Sequence, residues 1–272
     1  MITEYLKTSI IYTIFFMVLL FIFGSLFSFV EKRNSSTIYT TFGMNGLIVT
    51  GFIGTIIHEF SHMICCVIFR HRITEFALFR PFKSRYDGIM GYVNHSCNIN
   101  SKYQRAGNFF IGVAPIIFGT IFLIMCMWLL MPNEFNNIKE TFNLNMEYMS
   151  RINYVKDTIN IYVSIVIAIV ENLSPFRAHN FLAYIVFIYL MYSVTTHMDL
   201  SKEDISNSTF GLITFTILIF IINLIFCILG IKYQVVLLRL FVSSISFLTV
   251  GLLFSIFTLG ISKLLQFFLV KE

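Results

Sequence analysis

The chain has 272 residues and a net charge of +5; 57% of its residues are hydrophobic, only 12% are charged, and its mean hydropathy is +0.81. Soluble domains carry about 25% charged and 45–50% apolar residues, and a water-soluble globule of this size cannot hide so much apolar surface. The composition excludes a soluble globule, a disordered chain, a fibrous repeat and a nucleic-acid-binding role, and leaves an all-α polytopic membrane protein.

A bilayer core takes about 20 apolar residues of helix. In chain order, spans are expected over residues 10–30, 41–69, 107–131, 176–197, 209–231 and 240–262. The first reads as a retained helix rather than a signal peptide, because no small-residue cleavage site follows it. The second is interrupted only by His58, Glu59 and His62. The stretch Thr158–Val170 is apolar but too short to cross easily, and reads as re-entrant, interfacial or packed within the bundle. The five cysteines are scattered, with neither a disulfide framework nor a paired C-x-x-C knuckle. No linker separates two soluble domains, so residues 1–272 read as a single membrane domain.

Lys and Arg collect on one side. Loop 70–105 carries Arg70, Arg72, Arg80, Lys83, Arg85, Lys102 and Arg105 against Glu75 and Asp87, whereas loop 132–157 is balanced toward acid. The first loop is therefore expected in the cytoplasm and the second outside, with both termini and the link 198–208 cytoplasmic. If Thr158–Val170 crossed, that link would move outside. Within the basic loop, Ile73–Phe79 and Gly88–Val93 flank a turn-rich stretch, the pattern of a β-hairpin at the membrane surface.

The second span contains His58-Glu59-Phe60-Ser61-His62. Residues four apart share a helix face, so both imidazoles can reach one metal ion at about 2.0–2.1 Å. Glu59 projects to one side, where it can take a proton from water acidified by the metal and later deliver it to a leaving amine. Glu59 lies about 16 Å of helix before Arg70, which puts the cluster near mid-depth of the bilayer. An unpaired acid there costs on the order of 2.5–3.5 kcal/mol on insertion scales. The bland alternative is a polar cluster joining helices by hydrogen bonds.

The run Gly54-Thr-Ile-Ile-His58-Glu59-Phe-Ser-His62, the hairpin Ile73–Asn94 and the following Gly107-Asn108-Phe-Phe-Ile-Gly112-Val-Ala114-Pro115 resemble the site-2 protease class of intramembrane zinc metalloproteases. The stretch from Gly91-Tyr-Val-Asn-His95-Ser to Pro115 is similar to small bacterial members, and the likeness covers about residues 41–210. The resemblance implies a multi-pass protein of a bacterial cytoplasmic membrane. It further implies a Zn2+ ion held by His58 and His62, Glu59 as catalytic acid and base, and membrane-anchored proteins or peptides as substrates. It also implies a third ligand, an Asp on a later helix, usually in an Asn-Pro-rich turn before Asp-Gly. This chain departs there, offering His197-Met-Asp199-Leu-Ser201-Lys-Glu203-Asp204. Asp204 matches best by order, His197 is the alternative and Asp199 comes third; Ser201-x-x-Asp204 also reads as a helix cap. A catalytically inactive zinc-binding scaffold or chaperone is the second reading of the whole chain. A zinc transporter comes behind it, because only one span carries clustered ligands rather than the repeated halves of transporters.

Other residues read as structural. Cys65 and Cys66 follow His62 on the same helix and are expected to pack. His95 and Cys97 are expected in a solvated loop, where they could cover the mouth of the site. Asn108 reads as a helix-packing residue and Asp87-Gly88 as a turn. Glu171 and Arg177 either pair or mark the ends of the short segment.

Overall fold

The structure, a computed structural model, describes residues 2–149, 155–197, 202–229 and 234–269. It is mostly helical. Helix α1 runs Ile2–Ile68, followed by strand β1 at Arg72–Ala77, the short helix α2 at Ser84–Asp87 and strand β2 at Tyr92–Ser96. Then come α3 (Lys102–Leu130), α4 (Pro132–Met149), α5 (Val155–Asn172), a 3-10 turn at Pro175–Arg177, α6 (Phe181–Thr195), α7 (Lys202–Ile228) and α8 (Gln234–Leu269). Among the described residues, three helical stretches are long and apolar enough to cross a membrane: Ser9–Ile68, Lys102–Leu130 and Ser244–Leu269. Ile159–Asn172, Phe181–Thr195 and Phe210–Phe226 are apolar but shorter. Val67, Leu129 and Phe267 stand exposed on the long ones, as expected of helices whose outer face meets lipid rather than water.

The expected loop between residues 30 and 41 is helical. Its polar residues satisfy one another along the helix: Ser35 donates to Glu31 at 2.6 Å, Lys32 to Ser28 at 2.8 Å, and Thr37 to the Arg33 carbonyl at 2.8 Å. Helix α1 breaks instead at Gly43, whose φ of 64° and ψ of −160° belong to glycine alone. The expected loop 132–157 is also largely helical. Pro132 occupies the first position of α4, where its missing N–H removes no helical bond.

Two compact units emerge from the packing. One comprises Met1–Phe23, Ile124–Phe187 and Thr216–Leu252; the other comprises Gly24–Leu123, Ile188–Phe215 and Leu253–Glu272. In the first, α4 and α5 lie antiparallel. Asn137 donates to Asn172 at 3.2 Å and, eight residues further along and back, Asn145 donates to Ser164 at 3.3 Å. The apolar segment 158–170 lies within α5, burying Ile161 and Ile165 together with Val242 of α8. Glu134 is buried and accepts from the His179 amide at 2.9 Å. Burial opposes its ionisation, but the His179 hydrogen bonds outweigh that and hold its carboxyl below the usual range. Glu171 and Arg177 pair at 3.2 Å on the surface.

The second unit contains the strand pair and the segment of α1 that carries His58, Glu59 and His62. Its β1 and β2 pair antiparallel, Ala77 opposite Tyr92 and Ile73 opposite His95, with a bulge between Ile73 and Glu75. The strands are displaced by a few residues from the expected segments because Arg80–Met90 forms the turn region. There Arg80 donates to Asp87 at 2.6 Å and the Ile89 amide donates to the same carboxylate at 3.0 Å. The Ile89 amide and then Arg80 hold that carboxyl low. Gly88 closes α2 in the left-handed conformation. Beneath the hairpin, Cys65 and Cys66 of α1 pack with Ile111 and Ala114 of α3.

Candidate functional site

His58, Glu59 and His62 lie on α1, four helical turns beyond the break at Gly43. The two imidazoles face each other: their Nε2 atoms are 3.0 Å apart and their rings make an edge contact with 4.7 Å between centroids. Each ring is pinned from behind by a backbone carbonyl. His58 Nδ1 donates to the carbonyl of His197 at 2.7 Å, and His62 Nδ1 donates to that of Ile111 at 2.9 Å. A carbonyl only accepts, so Nδ1 carries the proton in both rings and each Nε2 is left with a lone pair. Two lone pairs at 3.0 Å repel unless a cation lies between them, whether a proton or a metal ion. Backbone carbonyls on the remote nitrogen are also the usual way a metal-ligating histidine is oriented.

The local sequence frees one of these carbonyls from helical bonding and places the other beyond a helix end. The Ile111 carbonyl lies four residues before Pro115, inside α3. Pro115 has no N–H, so the ordinary i+4 donor to Ile111 is missing and the His62 ring supplies one in its place. The His197 carbonyl lies two residues beyond the last residue of α6, where the chain has left the helix. Close helix approach brings it there. A Cβ on Gly54 would stand 1.9 Å from the Ser193 carbonyl oxygen, and one on Gly51 would stand 2.2 Å from the His197 ring. Glycines at 51 and 54 therefore allow α6 to lie directly on α1, and the Gly54 amide also donates to Ser193 Oγ at 2.9 Å.

Glu59 is buried, at 8% exposure. The hairpin covers it: Gly91, just before β2, approaches so closely that a Cβ there would be 2.8 Å from Glu59 Cγ and 2.8 Å from Thr55 Cγ2. Gly91 thus sets the height of the hairpin over the carboxylate. The alternative ligand His197 contributes its carbonyl to His58, while its ring lies over Gly51 and its Nδ1 is 3.0 Å from Thr196 Oγ1. Asp199 lies outside the described residues. Asp204 falls in the first turn of α7, and its side chain lies outside them as well.

A second cluster joins Cys66, expected only to pack, with His71 and with His95, which lies in β2 and not in the solvated loop expected for it. Cys66, one turn beyond His62, is fully buried, and His71 beyond the end of α1 is buried too. With His95 of β2 they offer ligand atoms that all lie within 4.8 Å of one another, an arrangement that could hold a metal ion. Among the described residues this is the group of three or more His, Cys, Asp or Glu donors that closes to that distance. His71 Nε2 donates to the Gln104 carbonyl at 2.7 Å, and its Nδ1 lies 3.0 Å from His95 Nδ1. Cys97 stays apart as the acceptor of a weak contact from Asn108 at 3.8 Å.

Nothing in the spacing of Cys66, His71 and His95 announces this cluster. His71 returns to Cys66 because α1 ends in a Schellman turn. The His71 amide donates to the Cys66 carbonyl at 2.8 Å and the Arg70 amide to that of Val67 at 3.1 Å, with Arg70 left-handed at φ 57°. His95 then arrives through the β1–β2 register.

Neither a family model, nor a curated protein, nor a solved structure matches this chain.

Proposed function

We infer that this chain is a multi-pass membrane protein that hydrolyses peptide bonds in membrane-anchored proteins or peptides with the help of a zinc ion. The observation that carries the reading is the pair of Nε2 lone pairs of His58 and His62, 3.0 Å apart and each fixed from behind by a backbone carbonyl. The donor set suits zinc, with Asp204 as third ligand and His197 as its alternative. An ion held there supplies Lewis acidity toward a scissile carbonyl and toward water.

Glu59 does the proton work. It accepts a proton from water as the water oxygen bonds to the carbonyl carbon. It returns that proton to the departing nitrogen as the C–N bond breaks. Its burial beneath Gly91 keeps bulk water from competing. The hairpin strands offer backbone donors and acceptors to a substrate helix that must unwind to be cut, replacing the hydrogen bonds it loses in an apolar solvent. In this reading the chain crosses a bacterial cytoplasmic membrane six times, with α5 re-entrant or interfacial, both termini and the hairpin on the cytoplasmic side, and 132–157 outside.

The test is a comparison of wild type with Glu59→Gln and with His58→Ala/His62→Ala. Elemental analysis of purified protein should show about one zinc per chain fewer in the double variant and no loss in Glu59→Gln. Cleavage of a single-span substrate should fall on the order of 10²–10⁴-fold in Glu59→Gln, and proteomics of membrane-anchored proteins should show uncut substrates accumulating. Cleavage unchanged by Glu59→Gln ends the hydrolytic reading. Abolished activity in neither variant, with zinc lost only in the double variant, favours a zinc-binding scaffold or chaperone. What supports that second reading is the departure of His197-Met-Asp199-Leu-Ser201-Lys-Glu203-Asp204 from the Asp-Gly turn that the resemblance implies.

A further inference from the structure

We propose that Cys66, His71 and His95 form a separate zinc site, whose ion clamps the hairpin to the helix that carries Glu59. The three ligands come from three pieces of structure: the last turn of α1, the turn that ends it, and β2. Their donor atoms lie within 4.8 Å of one another, and the two Nδ1 atoms are 3.0 Å apart. A tetrahedral zinc ion with bonds of about 2.0–2.1 Å to nitrogen and 2.3 Å to sulfur needs ligand atoms about 3.3–3.6 Å apart. The Nδ1 pair lies just short of that spacing and no donor lies more than 4.8 Å from another, so small side-chain adjustments close the site.

The protonation pattern points the same way. His71 Nε2–H donates to the Gln104 carbonyl, leaving its Nδ1 with a lone pair facing His95. A backbone carbonyl on the remote nitrogen again orients the ring. Cys66 is fully buried, in one apolar cluster with Ile111 and Ala114. A bound divalent ion would draw off its proton and compensate the thiolate charge there. His95 is half-buried on the hairpin and gives the ion a route in from the surface. One thiolate with two imidazoles is a set that zinc takes readily and that magnesium or calcium does not.

The consequence is mechanical. The hairpin touches Glu59 through Gly91, four residues before His95. An ion binding His95 to Cys66 and His71 fixes β2 against α1, and with it the seat of Gly91 on Glu59. The clamp stands whether or not His58 and His62 hold a metal.

Cobalt separates the two sites, because the His58/His62 pair contains no thiolate. The full chain in detergent, carrying His58→Ala/His62→Ala, is stripped of metal and titrated with Co2+. The expected result is thiolate-to-cobalt charge-transfer absorption at about one ion per chain, competed away by zinc and lost in Cys66→Ser and in His95→Ala. If Cys66→Ser does not give folded protein, His95→Ala on the hairpin carries the test alone. No charge-transfer band in the double variant overturns the proposal, as does a band that survives Cys66→Ser or His95→Ala. Neither outcome bears on the His58/His62 reading, which rests on Glu59→Gln.

Discussion

At the scale of single residues, the chain uses broken backbone hydrogen bonds to orient side chains. Pro115 leaves the Ile111 carbonyl without its helical donor, and that carbonyl, like the one of His197 beyond α6, receives an imidazole N–H. A buried carbonyl left unpaired costs about 1–3 kcal/mol, so the pinning contacts are held in place by the price of losing them. Replacing Pro115 by Ala restores a competing N–H to Ile111 and loosens the His62 ring. Zinc affinity at the His58/His62 pair should then fall by about tenfold, the low end of outer-partner effects, measured by competition with a chelator; unchanged affinity would mean that Pro115 merely bends α3. The same economy explains Arg70. A left-handed non-glycine residue is strained by roughly 1–2 kcal/mol, yet it turns His71 back onto Cys66.

At the scale of elements, glycines do two different jobs. Gly51, Gly54 and Gly91 are contact residues: each has a neighbour within 3 Å of where a Cβ would stand. Together they let α6 and the hairpin close on the segment of α1 that carries His58 and Glu59. Gly43 is a conformational residue, with nothing within 4 Å of its missing Cβ. Its backbone angles alone forbid a side chain. Gly43→Ala should therefore destabilise the protein by about 1–3 kcal/mol, read as a lower midpoint in thermal unfolding in detergent. An unchanged midpoint would show that α1 tolerates running straight through residue 43. The stretch Ser9–Ile68 explains why it should not. Sixty residues of helix span about 90 Å, some three bilayer cores, so the chain needs a point at which to change course.

At the scale of the whole molecule, the proposed orientation rests on charge. Seven Lys and Arg residues lie in loop 70–105 against two acids, and Tyr86 at the tip of the hairpin is 95% exposed. In a cysteine-free background, Tyr86→Cys should resist a membrane-impermeant thiol reagent in intact cells and react in inside-out vesicles. Tyr148→Cys, exposed on α4, should do the opposite. Labelling of Tyr86→Cys from outside would invert the proposed topology.

The amino-acid sequence by itself determined the solvent of this protein, the helical character and the His58-Glu59-x-x-His62 face, because apolar runs and i,i+4 spacing are local properties. The strand pair was legible to within a few residues for the same reason. The polar stretches at 31–42 and 132–149 were not, since satisfaction along the helix and antiparallel packing of α4 on α5 override the loop-like composition. Only the tertiary structure decided what holds the two imidazoles: carbonyls 49 and 139 residues away in the chain. Only it assembled Cys66, His71 and His95, because that cluster is made by a helix cap and a strand register. Those are contacts between elements, and no periodicity within an element records them.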